Sequence, residues 1–323
     1  MGIKSLGNKK SIKYAAVWDE TGTGAMKPKP FNGPVAMSFQ GDRGILWNGY
    51  FSGANQDRIE YISISTPGNS QDFGDAMESS RARGAASNGT KSICGGGGSG
   101  PNRNNIDKLT IASTGNSTDF GDLTVAGQCK CVFNATYAVW DGRGQNNTID
   151  YVSIATDGDA ADFGDMMSVN NDGPAPTGDT TRGCFMGGHG DGTSQTRIEY
   201  ITFATPGNAT YFGDMYDSGY AMTSGLCANG IRGLTAGGEQ RNTSSIEYIT
   251  PATLGNGQSF GDLSQGRRGM ANTSNDDDRG VFAGGYSPDT NVIDYVTMST
   301  DGNATDFGDM ITSCWGYSGC SGD

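Results

Sequence analysis

The chain has 323 residues, 53 of them Gly, and a formal net charge of −13. This acidic balance argues against binding to the phosphate backbone of nucleic acid, which needs clustered Lys and Arg. No apolar run approaches the roughly 18 residues that cross a membrane, and glycine without a three-residue period is incompatible with collagen.

The cysteines and the N-terminal stretch carry no sign of a metal site or of secretion. The chain has seven cysteines, an odd number, and none lies in a C-x-x-C pair. Neither a zinc site nor a disulfide framework is therefore expected. The first residues, MGIKSLGNKKSIKYAAVW, contain lysines but lack the apolar core of a signal peptide. We expect synthesis in a cytoplasm without a signal peptide.

Short runs of Val, Ile, Tyr and Thr alternate with clusters of Gly, Asn, Asp and Ser, which is typical of an all-β protein. One phrase recurs six times, from DRIEYISISTPGNSQDFGDA at residue 57 to NVIDYVTMSTDGNATDFGDM at residue 291. The isoleucines that open the phrase lie 43 to 49 residues apart, at Ile59, Ile106, Ile149, Ile198, Ile246 and Ile293. A phrase repeated at this period indicates architecture rather than catalysis.

Each repeat predicts four short strands. In chain order they are a small-residue strand such as Gly84–Asn88, a strand such as Arg279–Gly285 that ends in Gly-Gly, the strand that opens with the repeated Ile, and the Phe-Gly-Asp strand. The third strand is apolar on both faces, because Ile293 and Val296 point to opposite sides of a pleated strand. Such a sheet must lie between neighbouring sheets, as the blades of a radial ring do.

The repeats predict a single domain of residues 1–323. Its blades are expected at about 34–80, 81–127, 128–170, 171–219, 220–267 and 268–312. A step of 47 residues back from Ile59 reaches Ile12, in SIKYAAVW. We therefore predict a seven-bladed β-propeller whose last blade forms when N-terminal strands of residues 1–33 pair with a C-terminal strand of residues 313–323, leaving no open sheet edge.

The alternative is six blades with a loose N-terminal arm. Residues 19–33 are the least certain part of the seven-bladed interpretation, because they should hold the fourth strand of the closing blade but lack the Phe-Gly-Asp phrase. That segment is therefore also a candidate docking arm.

The period, the order of four strands and the Gly-Gly after the second strand resemble kelch repeats, and the resemblance covers the whole chain. The tryptophan of the fourth kelch strand is replaced by phenylalanine, at Phe73, Phe120, Phe163, Phe212, Phe260 and Phe307. The wording of the repeat is also similar to repeats in virion structural proteins of tailed phages, especially phages of marine cyanobacteria (cyanophages). That similarity implies a virion location and other virion proteins as partners.

The Phe-Gly-Asp phrase offers one carboxylate per repeat, at Asp75, Asp122, Asp165, Asp214, Asp262 and Asp309. We predict that these carboxylates accept hydrogen bonds from backbone N–H groups in the turn to the next blade, and that the adjacent Phe fills the gap between blades. A ring of calcium ligands is the alternative. Asp276 and Asp278, in an acidic run, are further calcium candidates, and no other cofactor is expected.

The loops between second and third strands are the most variable part of the repeats and should emerge on one face. Loops on a rigid scaffold commonly carry recognition. Their aromatic and cationic residues suit sugars or acidic partners: Tyr50, Phe51, Arg103, Arg143, His189, Arg241 and Tyr286. The four tryptophans, by contrast, are expected to pack between blades.

The leading functional hypothesis is a non-catalytic virion structural protein of a tailed phage, such as a fibre, knob or capsid decoration, that also binds a host-surface glycan or protein. One alternative is a bacterial kelch-like module that binds glycan or protein. The other is a carbohydrate-active enzyme, since a glycosidase needs only two carboxylates. His189 is the single histidine, and nothing nominates a serine to form a triad with it.

Overall fold

The structure is a computed structural model that describes residues 37–98, 102–142, 146–169, 173–190, 193–216, 223–238 and 244–323. The chain divides into two units, Met1–Val35 and Ala36–Asp323. The first unit lies outside the described residues, and so do the strands predicted for residues 1–33. In the described ranges all regular structure is β-strand, and no helix long and apolar enough to cross a membrane occurs there.

The strands of the second unit form antiparallel sheets of up to four strands, which we term blades. Blade 1 contains β1 (Arg43–Phe51), β2 (Ala54–Ser63), β3 (Gln71–Ser80) and β25 (Ser318–Gly322). Blade 2 contains β4 (Gly84–Ser87), β5 (Lys91–Gly95), β6 (Asn105–Thr110) and β7 (Thr118–Asp122). Blade 3 contains β8 (Cys131–Phe133), β9 (Tyr137–Trp140), β10 (Thr148–Ser153) and β11 (Ala161–Asp165).

Three further blades follow the same order. Blade 4 contains β12 (Ala175–Gly178), β13 (Arg182–Met186), β16 (Arg197–Thr202) and β17 (Thr210–Asp214), with a small hairpin of β14 (His189–Gly190) and β15 (Thr193–Ser194). Blade 5 contains β18 (Gly233–Ala236), β19 (Ser245–Ile249) and β20 (Gln258–Asp262), and a bridge from Ala228 to Gly233 in the first-strand place. Blade 6 contains β21 (Ala271–Ser274), β22 (Arg279–Ala283), β23 (Val292–Thr297) and β24 (Thr305–Asp309).

The prediction of an all-β propeller is confirmed, but the prediction of seven blades is wrong. The described residues form six blades, one for each complete copy of the repeated phrase. The 47-residue step that led from Ile59 back to Ile12 extended the repeat by one unit too many.

The predicted closure is also wrong. The C-terminal strand β25 pairs with β1 of blade 1, from Arg43 opposite Gly322 to Trp47 opposite Ser318, rather than with strands of residues 1–33. The described residues ahead of β1, from Met37 to Phe39, form no strand. Phe39 is instead buried against Phe133, with ring centroids 5.7 Å apart.

Small residues bring the first strands of several blades into contact around the centre of the ring. Gly225 of blade 5 forms a parallel bridge with Gly319 of blade 1. A Cβ on Gly225 would lie 2.1 Å from the carbonyl oxygen of Asn272 in blade 6. The Ser224 hydroxyl donates to the backbone carbonyl of Arg83 in blade 2, at 2.9 Å. Backbone and short hydroxyl side chains therefore join the blades near the centre.

The glycine of each Phe-Gly-Asp phrase packs against the turn of the next blade. A Cβ on Gly261 would lie 2.2 Å from the carbonyl oxygen of Gly302, and a Cβ on Gly308 would lie 2.5 Å from that of Gly68. The second contact joins blade 6 to blade 1. The same approach, at 2.2 to 2.5 Å, occurs at all six junctions, on Gly74, Gly121, Gly164, Gly213, Gly261 and Gly308. No side chain larger than a hydrogen fits there.

A hydrogen bond from the Asp of the phrase fixes the same junction. The backbone N–H of Asp309 donates to the Asn69 side-chain oxygen of blade 1 at 3.0 Å, and the backbone N–H of Asp262 donates to that of Asn303 at 3.1 Å. The other four junctions have the same hydrogen bond. Its acceptor is the side-chain oxygen of Asn116, Asn208 or Asn256 at three of them, and of Asp159 at the junction after blade 2.

We expect Gly261→Ala to destabilise the fold, because the new methyl group overlaps the backbone of Gly302. Overpacking of this kind costs about 1–3 kcal/mol or more. Gly302→Ala is the matched control at the same junction, because a Cβ there meets nothing within 4 Å and the backbone φ is not positive. Urea unfolding of the two variants measures the difference. Equal midpoints would show that the close approach does not limit stability.

Deletion of residues 318–323 removes β25 and exposes β1 as an open edge. We expect the truncated protein to lose its single cooperative thermal transition and to bind a hydrophobic dye, because unpaired edges and exposed apolar surface promote association. Addition of a synthetic peptide of residues 316–323 should restore the transition. A truncated protein that melts like the full chain would contradict closure by β25.

Candidate binding surface on the loop face

The chain path places two kinds of connection on one face of the ring. In an antiparallel four-stranded blade, the loop between second and third strands lies at the same end as the segment that leads to the next blade. We call this end the loop face. It carries Tyr50, near the end of the second strand β1, and Tyr286, which follows the second strand β22. It also carries Arg81, Arg268 and Trp315, which precede first strands.

Blade 1 extends onto this face as a two-stranded hairpin. The predicted loop Tyr50–Asp57 is instead a continuation of β1 and β2, in which Phe51 pairs with Ala54. The two intervening residues, Ser52 and Gly53, have φ of 48° and 86°, as in the primed turns that suit tight hairpins. The ends of β1 and β2 therefore form a two-stranded wall on the loop face.

Five side chains form a continuous cation–aromatic stack at the foot of this wall. The Arg81 guanidinium lies 4.4 Å from the Tyr50 ring centroid and 5.1 Å from that of Trp315. Trp315 in turn lies 5.1 Å from Tyr50 and 5.5 Å from Tyr286. Arg268 lies 4.9 Å from the Tyr286 centroid. The stack thus runs from blade 2 across blade 1 to blade 6.

The stack is partly open to solvent. Tyr286 is 39% exposed, whereas Tyr50, Trp315, Arg81 and Arg268 are half-buried. The rings of Tyr50 and Tyr286 are tilted by 51° and 48° from the Trp315 plane, so they do not cover one another completely. Half-exposed Trp, Tyr and Arg side chains are the residues that most often anchor a binding partner.

Buried groups beneath the stack hold its backbone. Arg83, two residues after Arg81, forms an ion pair with Asp107 at 3.0 Å, and both side chains are almost fully buried. Arg267, next to Arg268, forms a buried ion pair with Asp294 at 2.9 Å. The segment that carries Trp315 is anchored by a hydrogen bond from the Tyr317 hydroxyl to Glu60 at 3.2 Å.

The anchoring carboxylates belong to a set that sequence reasoning missed. The residue after the repeated Ile is acidic and buried in every blade, at Glu60, Asp107, Asp150, Glu199, Glu247 and Asp294. Most of them accept a hydrogen bond from a backbone N–H of the preceding blade, as from Met77 to Asp107 at 2.9 Å and from Ile311 to Glu60 at 3.2 Å. The carboxylates of Asp150, Glu199 and Asp294 accept the same kind of hydrogen bond, from the backbone N–H groups of Thr124, Met167 and Ser264 respectively. These contacts clasp adjacent blades together.

The environments of two of these carboxylates shift their pKa values in opposite directions. At Glu60 burial is the largest effect, and it raises the pKa despite hydrogen bonds from Ser70, Ile311 and Tyr317. At Asp107 burial also opposes ionisation, but the Arg83 guanidinium and the donated hydrogen bonds outweigh it and lower the pKa. Asp107 is therefore an ionised partner for Arg83.

The structure brings only some of the predicted loop-face residues together. Tyr50 and Tyr286 belong to the stack, and Phe51, 38% exposed, lies at the end of the blade 1 hairpin. Arg103 pairs with Glu78. His189 starts the small hairpin of blade 4, away from the stack. Arg143 and Arg241 lie outside the described residues.

The Phe-Gly-Asp residues occupy the blade junctions. The six Phe side chains are 2 to 3% exposed, and five of them pack edge-on against a Tyr of the third strand, as Phe307 does on Tyr295 at 6.0 Å. The Asp residues act through their backbone N–H groups, and their carboxylates are exposed or half-buried. The predicted role of the Asp side chain thus belongs to the backbone.

The calcium candidates are not assembled into a cluster of ligands. Asp278 accepts hydrogen bonds from Asn229 at 2.6 Å and from the Ser299 backbone at 3.2 Å, and Asp276 is exposed. In the part of the chain that the structure describes, no group of three or more His, Cys, Asp or Glu side chains is placed to hold a metal ion.

Three members of the stack were missed from the sequence. Trp315 was expected to pack between blades, as Trp47 and Trp140 do with 0% exposure. Arg81 and Arg268 precede first strands, outside the loops that the sequence predicts to carry recognition. The sequence nevertheless contains a signal for this site. In blades 1 and 6 a Tyr follows the glycine at the end of the second strand, whereas in blade 2 Gly98 occupies the equivalent position.

Comparison with known proteins assigns no relationship. No protein-family model matches the chain, and no curated protein matches its sequence. The β-propeller architecture is compatible with a binding or structural module.

We expect Asp107→Asn to lower stability by about 3–5 kcal/mol at pH 7, because it leaves the buried Arg83 charge without its partner. Since folding lowers the pKa of Asp107, its contribution is complete above the ordinary value of 3.8 and is lost as the pH falls through the folded value. The difference from wild type should therefore shrink at low pH in urea unfolding.

Asp119→Asn is the matched control, because this exposed carboxylate lies directly opposite Asp107 on β7. It should change stability by no more than about 0.5 kcal/mol. A loss for Asp107→Asn that stays constant from pH 7 to pH 3 would show that charge pairing is not its source.

Proposed function

We propose that the protein is a non-enzymatic binding module that contacts its partner through the cation–aromatic stack, and that it works as an accessory structural protein of a tailed-phage virion. The observation that carries the first part is the stack itself. Its rings break the repeat pattern at two adjacent blades and remain partly exposed, although ring closure does not require them there.

The use of the buried carboxylates supports a non-enzymatic role. A hydrolase needs acidic groups that face a substrate. By contrast, Glu60 accepts a hydrogen bond from the protein backbone, and Asp107 and Asp294 form ion pairs with buried Arg side chains. These contacts of the carboxylates hold the blades together.

The virion setting rests on the wording of the repeat, which is similar to repeats of tailed-phage structural proteins, and on the acidic composition. A net charge of −13 suits a self-repelling particle surface. The expected neighbours are other virion proteins, and the stack is then available for a host-surface glycan or protein. Mass spectrometry and cryo-electron microscopy of purified phage particles test this part, and particles that lack the protein would overturn it.

Substitution tests the binding surface directly. We expect Trp315→Ala to weaken binding to isolated host envelope or to the particle by about 30-fold, because central aromatic anchors contribute about 2 kcal/mol or more. Tyr211→Ala, an exposed aromatic on blade 4, is the control and should bind like wild type. Equal binding by all three proteins would place recognition elsewhere.

A further inference from the structure

The Arg81 guanidinium is the most informative group of the stack. Its one side-chain hydrogen bond among the described residues runs from Nη1 to Oδ1 of Asn55, at 3.4 Å. No carboxylate of the described residues forms an ion pair with it, whereas Lys91, Arg103 and Arg232 each have an acidic partner. A guanidinium has five N–H donors in a rigid fork, so most of the Arg81 donors have no hydrogen-bond acceptor among the described residues.

The lack of a carboxylate at Arg81 contrasts with the composition of the chain. Acidic residues outnumber basic ones by 35 to 22. The two rings beside Arg81 hold its guanidinium in place by cation–π contact, which fixes a positive charge without neutralising it. A planar anion such as a carboxylate matches this fork in two parallel hydrogen bonds.

The shape of the site indicates an extended ligand. The five groups follow one another at 4.4, 5.1, 5.5 and 4.9 Å along the loop face, beside the wall formed by β1 and β2. Tyr and Trp present an apolar ring together with a polar hydrogen-bonding group. A chain of sugar rings offers the complementary pattern, because each ring has an apolar face and a rim of hydroxyl groups.

On the basis of the proposed binding role, we infer that the stack binds an acidic polysaccharide, with sugar rings against Tyr50, Trp315 and Tyr286 and a uronate carboxylate on Arg81. The net negative charge of the protein does not prevent this contact. Charges more than about 8 Å away are largely screened at physiological ionic strength, whereas the ion pair at Arg81 forms at contact distance.

The probe for this inference is polygalacturonate, with three matched polymers. Its methyl ester lacks the charge, dextran is a neutral polysaccharide, and polyglutamate is an anionic peptide. Isothermal titration should detect binding of polygalacturonate, with much weaker binding of the other three. Equal binding of the methyl ester would remove the role of the carboxylate, and equal binding of polyglutamate would make the ligand an acidic peptide. Either result overturns the inference.

Variants locate the contact. Arg81→Gln should weaken polygalacturonate binding about tenfold or more, since hydrogen bonds to charged groups are among the strongest, and Arg81→Lys should recover part of it. Arg232→Gln is the control with the same change of charge, because Arg232 also stacks on a tyrosine, Tyr248 at 4.1 Å, but pairs with Asp301. If the Arg81→Gln and Arg232→Gln variants lost the same affinity for polygalacturonate, the effect would come from the change of net charge and not from a contact at Arg81.

Failure of the inference is distinguishable from failure of the proposed function. If envelope binding depends on Trp315 but polygalacturonate neither binds nor competes, the site is correct and the ligand class is wrong. If Trp315→Ala changes neither envelope nor polygalacturonate binding, both are wrong.

Discussion

Every blade junction depends on one close approach between two backbones. The glycine of the Phe-Gly-Asp phrase lies so near the turn of the next blade that a methyl group would overlap a carbonyl oxygen. This approach places the following Asp N–H within reach of the turn Asn and the adjacent Phe in the apolar gap between blades. The buried carboxylate of the next blade then accepts a hydrogen bond from the backbone N–H of the residue two positions after that Asp. One glycine thus sets the spacing for three other contacts.

The candidate site arises where this regular scheme varies. The clasp holds each connecting segment in the same place on every blade, so a change of side chain there changes the surface without changing the fold. Trp315 lies on such a segment, ahead of β25, and it contacts the two Tyr residues at the second strands of blades 1 and 6. Their guanidinium neighbours, Arg81 and Arg268, lie on segments fixed by buried ion pairs. A rigid base of this kind reduces the conformational entropy that binding would otherwise cost.

The repeat made much of the fold predictable, because side-chain alternation and the Gly-rich turns specify strands locally. The order of four strands and the burial of the repeated Phe follow from that pattern. The roles within the phrase did not, since a carboxylate suggests side-chain chemistry whereas the structure uses the Gly and the backbone of the Asp. The buried acid after the repeated Ile was overlooked for the opposite reason: an acidic residue in a strand suggests a wet face.

The error in closure also hid the candidate site. A seventh blade between blades 6 and 1 would separate Tyr286 from Tyr50, and Trp315 would belong to the inserted blade. Only when β25 pairs with β1 do the three rings meet. Contacts between blades that are distant in sequence require the number of blades, which local patterns do not specify.

The pairing of β25 with β1 has a consequence for how the chain folds as it is synthesised. Blade 1 cannot acquire its first strand until residues 318–322 have left the ribosome, although β1 emerges before all the other described strands. Until then β1 retains an open edge, and the ring is an arc with two unsealed ends. Loop closure over such a long stretch slows folding, and partly folded chains with open edges are prone to aggregate. Completion of the ring is therefore the last step in the assembly of the blades, and molecular chaperones would have the greatest effect on yield before it occurs.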